Sequence, residues 1–75
     1  LYLKGVELQD ADLDCLAAID PILFHLNSCI LAKSSKRKVA KCTRLRYLTV
    51  EHCQIENATL PLDTSNITSL TWRNN

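Results

Sequence analysis

Apolar residues recur along this chain at gaps of three, two, three and two: Leu45, Leu48, Val50, Cys53 and Ile55 fill every specified position of the pattern L-x-x-L-x-L-x-x-[N/C]-x-L. A second stretch, Pro21, Phe24, Leu26, Cys29 and Leu31, fits with Pro21 in place of the first apolar residue. A third begins at Ile67 and runs through Leu70, Trp72 and Asn75, and a fourth is met partway as Leu1, Leu3, Val6 and Leu8. The shared Asn/Cys position falls on Val6, Cys29, Cys53 and Asn75, so the copies step by 23, 24 and 22 residues. Alternation within each copy predicts a short strand whose apolar residues point into a stack while the residues between them point to solvent. Neighbouring copies then pair as a parallel sheet, and the intervening residues carry the chain back before the next strand starts. One copy cannot bury its apolar face alone, so stability comes from stacking on neighbours.

The three connections differ in pattern. Over Gln9 to Asp20, Asp10 or Asp12 can cap a short helix, with Leu13, Leu16, Ala17 and Asp20 at helical spacing and Pro21 ending it. The second connection, Ala32 to Arg44, holds two inward candidates, Val39 and Cys42, and reads as a turn of helix capped by Ser34 or Ser35, or as a loop. The third, Asn57 to Ser65, is β-branched, contains Pro61 and is rich in turn formers, so it should cross extended with Leu60 and Leu62 tucked inward.

Seventy-five residues bound a small single domain with a correspondingly marginal core. The formal net charge is +1, yet five of the eight acids precede residue 21 and seven of the nine bases lie in the acid-free stretch from Pro21 to Val50. The chain is therefore polarised along its length. No apolar run is long enough for a membrane-spanning helix, and residue 1 onward lacks the pattern of a signal peptide. Opening at Leu1 inside a strand pattern, without an initiator Met, reads as a processed or truncated piece. Four cysteines allow three disulfide pairings. The repeat instead places Cys29 and Cys53 at a buried turn position, and we expect all four to be reduced, structural thiols.

This pattern and its period are those of the leucine-rich repeat, whose copies run to roughly 20 to 29 residues. The fold class expected is α/β: a fragment of a leucine-rich repeat solenoid with about three to four short parallel strands and irregular or helical convex connections. It forms one segment over residues 1–75, in repeats of about 1–20, 21–44, 45–66 and 67–75, without polar caps at either end. A solenoid needs such caps, so the isolated chain is expected to be poorly stable or to associate through its ends.

Within that class, Leu1, Leu3, Val6, Leu8, Asp10, Leu13, Leu16, Pro21, Leu26 and Cys29 resemble one repeat of plant F-box proteins, with Ile19-Asp20 standing where that family has a Cys-Pro link. The run Leu45-Arg46-Tyr47-Leu48-Thr49-Val50-Glu51-His52-Cys53, with Leu60-Pro61 after it, is similar also to repeats of plant nucleotide-binding immune receptors. Both resemblances imply repeats that hold another protein or a small ligand on the concave sheet.

Aligning the strands puts Tyr2, His25, Thr49 and Thr71 in one row of that sheet and Lys4, Asn27, Glu51 and Arg73 in the next, with Gly5, Ser28, His52 and Asn74 beside it. Glu51 and Arg73 should be close enough to pair. The basic run Lys33, Lys36, Arg37, Lys38 and Lys41 is a candidate nuclear-localisation or nucleic-acid patch. No aromatic residue is interleaved there to stack on bases, so a solvated face is the preferred reading. His25, His52 and the cysteines show no metal-ligand spacing, and the strand points His52 and Cys53 to opposite sides, so no metal or other cofactor is expected. Gly5 is the single glycine, which leaves no Gly-rich phosphate loop or nucleophile elbow, and no enzymatic activity is expected. Asn57-Ala58-Thr59 and Asn66-Ile67-Thr68 are formal sequons, read as incidental beside four thiols.

The functional expectation is a protein-interaction module, most like the substrate-recognition repeats of an F-box ubiquitin-ligase subunit, in the cytoplasm or nucleus, flanked by further repeats of a longer parent chain. Ligand-sensing repeats of an intracellular immune receptor are the close rival. A basic nucleic-acid-binding domain centred on residues 33–46 and a secreted disulfide-stapled domain are the competing classes.

Overall fold

The computed structural model describes residues 1–31, 39–55 and 62–74, with the exception of the Asp10 side chain. Among them are seven short strands and one helix: β1 (Tyr2–Lys4), β2 (Glu7–Leu8), α1 (Asp10–Ile19), β3 (Leu23–Asn27), β4 (Ile30–Leu31), β5 (Tyr47–Glu51), β6 (Gln54–Ile55) and β7 (Ser69–Arg73). They form two parallel sheets, a four-stranded one in the order β1-β3-β5-β7 and a three-stranded one in the order β2-β4-β6. The chain is thus α/β, with every strand pair parallel.

Register follows the spacing of the sequence. Tyr2 stands against His25, Leu23 against Tyr47 and Tyr47 against Ser69, which reproduces the steps of 23, 24 and 22 residues. In β3 and β5 the alternate residues Phe24, Leu26, Leu48 and Val50 are buried, and the residues between them are half-buried or exposed. Because side chains alternate with period two, a slip of one residue would turn this whole set outward, so burial fixes the register.

A sharp corner separates each long strand from the short one after it. Gly5, Ser28, His52 and Asn74 all have positive φ, between 53° and 67°. This left-handed conformation costs a residue with a Cβ about 1–2 kcal/mol. Each of the first three corners recovers a hydrogen bond across the ladder: Gly5 donates its N–H to Asn27, Ser28 to Glu51 and His52 to Arg73, all at 3.0 to 3.1 Å. These residues are turn formers at the strand exits rather than members of the sheet face.

Immediately after two of these corners, Cys29 and Cys53 are buried and their thiols donate to backbone carbonyls. Cys29 reaches Leu3 and Asn27 at 3.4 Å, and Cys53 reaches Glu51 at 3.3 Å. Burial raises the Cys53 thiol above its ordinary pKa. Cys42 is also buried, donates to the carbonyl of Leu16 and is raised by burial and by Asp20 and Asp63. Cys15 departs from the expected pattern: it lies on the exposed side of α1.

Helix α1 runs over the expected stretch with different ends. Gln9 takes the N-cap position, and Asp12 in the first turn accepts the Gln9 backbone N–H at 2.8 Å. Leu13 and Leu16 are buried and Ala17 packs against the core. Asp20 does not continue the stripe. It caps the C-terminus in a left-handed conformation, its N–H on the Leu16 carbonyl, and its carboxylate accepts the backbone N–H of Arg44 at 3.0 Å and the Thr43 hydroxyl at 3.1 Å. These contacts hold the Asp20 carboxyl below its ordinary pKa and tie the helix end to the residues that lead into β5.

In the second connection the inward residue is Ala40, not Val39, which is exposed; Ala40 forms a parallel bridge with the buried Leu62, and Cys42 points inward as expected. The alternation dictates this, because Ala40 and Cys42 are two apart and share a side. Leu60, Ser34 and Ser35 lie outside the described residues.

The core lies between the two sheets and α1, centred on Phe24, Leu26, Leu45, Leu48 and Val50. It is closed in the middle and open at β7. Leu70 and Trp72 occupy the same inward register as Leu48 and Val50, which are 1% and 0% exposed, yet are themselves 53% and 40% exposed.

Two outcomes follow from this contrast. Leu26→Ala should lower the unfolding free energy by about 2–5 kcal/mol, whereas Leu70→Ala should change it by less than about 1 kcal/mol; urea midpoints of the two variants check this, and equal losses would mean that the inner side of β7 is covered. Sedimentation of the chain at rising concentration should show self-association that Leu70→Glu with Trp72→Glu abolishes.

Candidate functional site

The outer side of the four-stranded sheet gathers the residues singled out above. Ladder pairing places Tyr2, His25, Thr49 and Thr71 side by side, and Lys4, Asn27, Glu51 and Arg73 side by side one level further along the strands. With neighbouring strands about 4.8 Å apart, each row spans roughly 14 Å. His25, Asn27, Thr49, Glu51 and Thr71 are half-buried, while Tyr2, Lys4 and Arg73 are exposed.

At the centre, the Glu51 carboxylate takes two hydrogen bonds on one oxygen. His25 Nε2 lies 2.7 Å from Glu51 Oε1, and Asn27 Nδ2 donates to the same atom at 3.2 Å. An ionised carboxylate only accepts, so Nε2 is the nitrogen that carries the proton. Asn27 Oδ1 in turn accepts the Ser28 hydroxyl at 2.8 Å, and the Tyr2 ring stands edge-on to the His25 ring with centroids 4.6 Å apart. Five side chains from three strands and one corner are thereby held in fixed relative positions. The His25 hydrogen bond, with His25, Arg73 and His52 acting at longer range, holds the Glu51 carboxyl below its ordinary pKa against the opposing effect of burial.

The expected Glu51–Arg73 pair is corrected by this geometry. The two residues are direct neighbours in register, but the carboxylate is turned to β3, where His25 and Asn27 offer two donors. Arg73 acts only through its field. A bond to donors already half-buried costs less side-chain entropy than holding a long exposed arginine in place.

Sequence reasoning also missed a level. Leu23, Tyr47 and Ser69 form a row one step earlier on the same face, and Leu23 and Tyr47 are both about half exposed. The alternation that assigns Phe24 and Leu48 inward assigns their predecessors outward, so this apolar pair was legible once the strands were extended by one residue. Of the basic run, Lys41 is exposed, and Lys33, Lys36, Arg37 and Lys38 lie outside the described residues. Among the described residues, no group of three or more His, Cys, Asp or Glu side chains gathers as a metal site, and no helix is long and apolar enough to cross a membrane.

Because the Glu51 carboxyl is lowered in the folded chain, it binds fewer protons there than in the unfolded chain. It therefore contributes stability above its ordinary value of 4.5, and this is lost as the pH falls through the lower folded value. Glu51→Gln should lower the melting temperature at pH 7 and flatten its fall between pH 5 and pH 3, leaving the remaining slope to Asp20 and Asp63, whose carboxyls are also lowered. An unchanged slope in melts across that range would remove Glu51 from the account.

No family model matches the chain, and no curated protein or solved structure matches it either.

Proposed function

We propose that this chain is a protein-interaction module: a leucine-rich repeat segment that presents the outer, concave side of its four-stranded sheet to another protein. The observation that carries the reading is the preorganised cluster Tyr2–His25–Glu51–Asn27 beside the half-exposed pair Leu23 and Tyr47. A partner meeting this face finds side chains already ordered, so binding loses less conformational entropy than it would on a loop. Tyr2 on the edge strand and Tyr47 at the start of β5 supply large contact area with few rotatable bonds, as in the residues that dominate many interfaces.

The resemblance of Leu1 to Leu31 to F-box repeats makes substrate recognition for a ubiquitin ligase the preferred role. The likeness of the Leu45 repeat to immune receptors makes ligand sensing its rival. Both roles use the same face.

The test is retention of proteins from a cell lysate by the immobilised chain, identified by mass spectrometry. Leu23→Thr with Tyr47→Thr and Glu51→Ala should remove most of the specifically retained set, and Ala11→Ser on the exposed side of α1 should leave it intact. The ubiquitin-ligase role further expects retained proteins to rise in abundance when the proteasome is inhibited. Retention that ignores the sheet variant would overturn the reading.

A further inference from the structure

Apart from that reading, we infer that two copies of this chain join through β7, antiparallel about a two-fold axis at Thr71, into one continuous sheet. β7 is the last strand in the order of the four-stranded sheet, so among the described residues it is paired on one edge alone, with β5. On its inner side Leu70 and Trp72 are 53% and 40% exposed. An unpaired edge beside exposed apolar side chains is a template for another strand. The opposite edge, β1, is three residues long, and its inward Leu3 is already half-buried.

The backbone selects the register. In a parallel ladder, alternate residues direct both backbone groups to one neighbour, and the residues between them direct theirs to the other side. Ser69 donates its N–H to Arg46 and Arg73 accepts from His52, so Ser69, Thr71 and Arg73 face β5. Leu70 and Trp72 therefore hold their N–H and C=O out at the free edge. An antiparallel copy that sets its Trp72 opposite Leu70, and its Leu70 opposite Trp72, makes each a pair that exchanges both backbone hydrogen bonds. Thr71 then meets Thr71 of the second copy at the axis, in a pair without backbone bonds and with Cα atoms about 4.5 Å apart. Centring the axis on Leu70 or on Trp72 would keep one bonded pair instead of two.

Side chains and charge favour this arrangement over a head-to-tail one. On the inner side each Leu70 lies beside Trp72 of the other copy, which continues the apolar rows that Leu48 and Val50 begin. On the outer side Thr71 meets Thr71, and each Arg73 stands opposite Ser69 of the other copy. Threonine pairs directly across neighbouring strands are stabilising. Laying β1 of a second copy on β7 in the same parallel register would instead set its Lys4 against Arg73, two like charges directly opposite. That contact would also leave a free edge at each end and propagate into open chains, whereas the two-fold contact closes. The axis passes through the sheet, so the outer faces of both copies lie side by side.

The experiment uses the intact chain carrying Cys15→Ser, which removes the exposed thiol from cross-linking. Sedimentation equilibrium at rising concentration should show monomer and dimer and nothing larger. A contact of one strand from each copy is small, so the dimer should dissociate on dilution. In that background oxidised glutathione should trap Thr71→Cys as a covalent dimer, each new disulfide releasing two reduced glutathiones, because the paired Cα atoms lie within disulfide reach. Ser69→Cys is separated from its counterpart by about four residues along the strand, or roughly 13 Å, and should not be trapped. Thr71→Lys and Thr71→Glu should each dimerise roughly twofold to fivefold more weakly, and an equal mixture of the two should recover the dimer. Circular dichroism of each variant confirms that the fold is kept. A chain that stays monomeric at every concentration would overturn the proposal and leave the edge to a strand of another protein. Trapping of Ser69→Cys as readily as Thr71→Cys, or assemblies that grow past the dimer as head-to-tail contacts would, overturns it as well.

Discussion

In-register parallel pairing is the constraint on which the rest of this chain depends. Parallel neighbours cannot be joined by a tight turn, so each strand must be followed by a long return before the next can be laid beside it. Steps of 23, 24 and 22 residues supply that return. A strand of five residues occupies little of each step, and the remainder must turn away sharply. The left-handed corners at Gly5, Ser28, His52 and Asn74 do this, converting one strand direction into two sheets. Only one of the four is glycine. Ser28 and His52 adopt the same backbone with a Cβ in place, and each donates its N–H to the last strand residue of the next unit.

The thiols belong to the same device. A side chain just past a corner faces the last carbonyls of the strand, and a small buried donor there adds a hydrogen bond to them without bringing charge into the core. Cys29 and Cys53 take this position and make these bonds. Val6 holds the equivalent place in the first unit, packs against the core and has no donor to offer. Asp20 performs a comparable task on the other side, where its carboxylate ties the end of α1 to Thr43 and Arg44.

Much of this was legible from alternation alone, and the failures have a common cause. Period two within strands and a fixed step between them assign a side and a neighbour to every strand residue, so the rows through His25 and Glu51 followed from the sequence. Helical spacing placed Leu13 and Leu16 inward for the same reason. Periodicity is silent where a side chain chooses between partners of similar reach. Asp20 satisfies the helical spacing but is drawn to the N–H of Arg44, and Glu51 stands beside Arg73 but turns to His25. Val39 was assigned inward by its apolar character, whereas alternation from the buried Cys42 puts Ala40 on the inner side, where it bridges to Leu62. Hydrogen-bond supply decided the positions of Asp20 and Glu51, and a hydropathy pattern does not encode it.

The character of the outer face then follows from the same ladder. A one-residue change in the offset between β3 and β5 would exchange the buried Leu48 and Val50 with the outward residues and destroy the core, so the rows on the outside are fixed by burial on the inside. Outer residues are thus free to vary in chemistry without varying in position. His25 and Asn27 come from β3 and Glu51 from β5, yet their donors and acceptor meet within 3.2 Å because Leu26 and Val50 are locked against each other beneath them. A surface ordered in this way needs no loop to assemble it. Its character resides in which side chains stand at each crossing of strand and row, here the half-exposed Leu23 and Tyr47 at one end and Lys4, Asn27, Glu51 and Arg73 at the other.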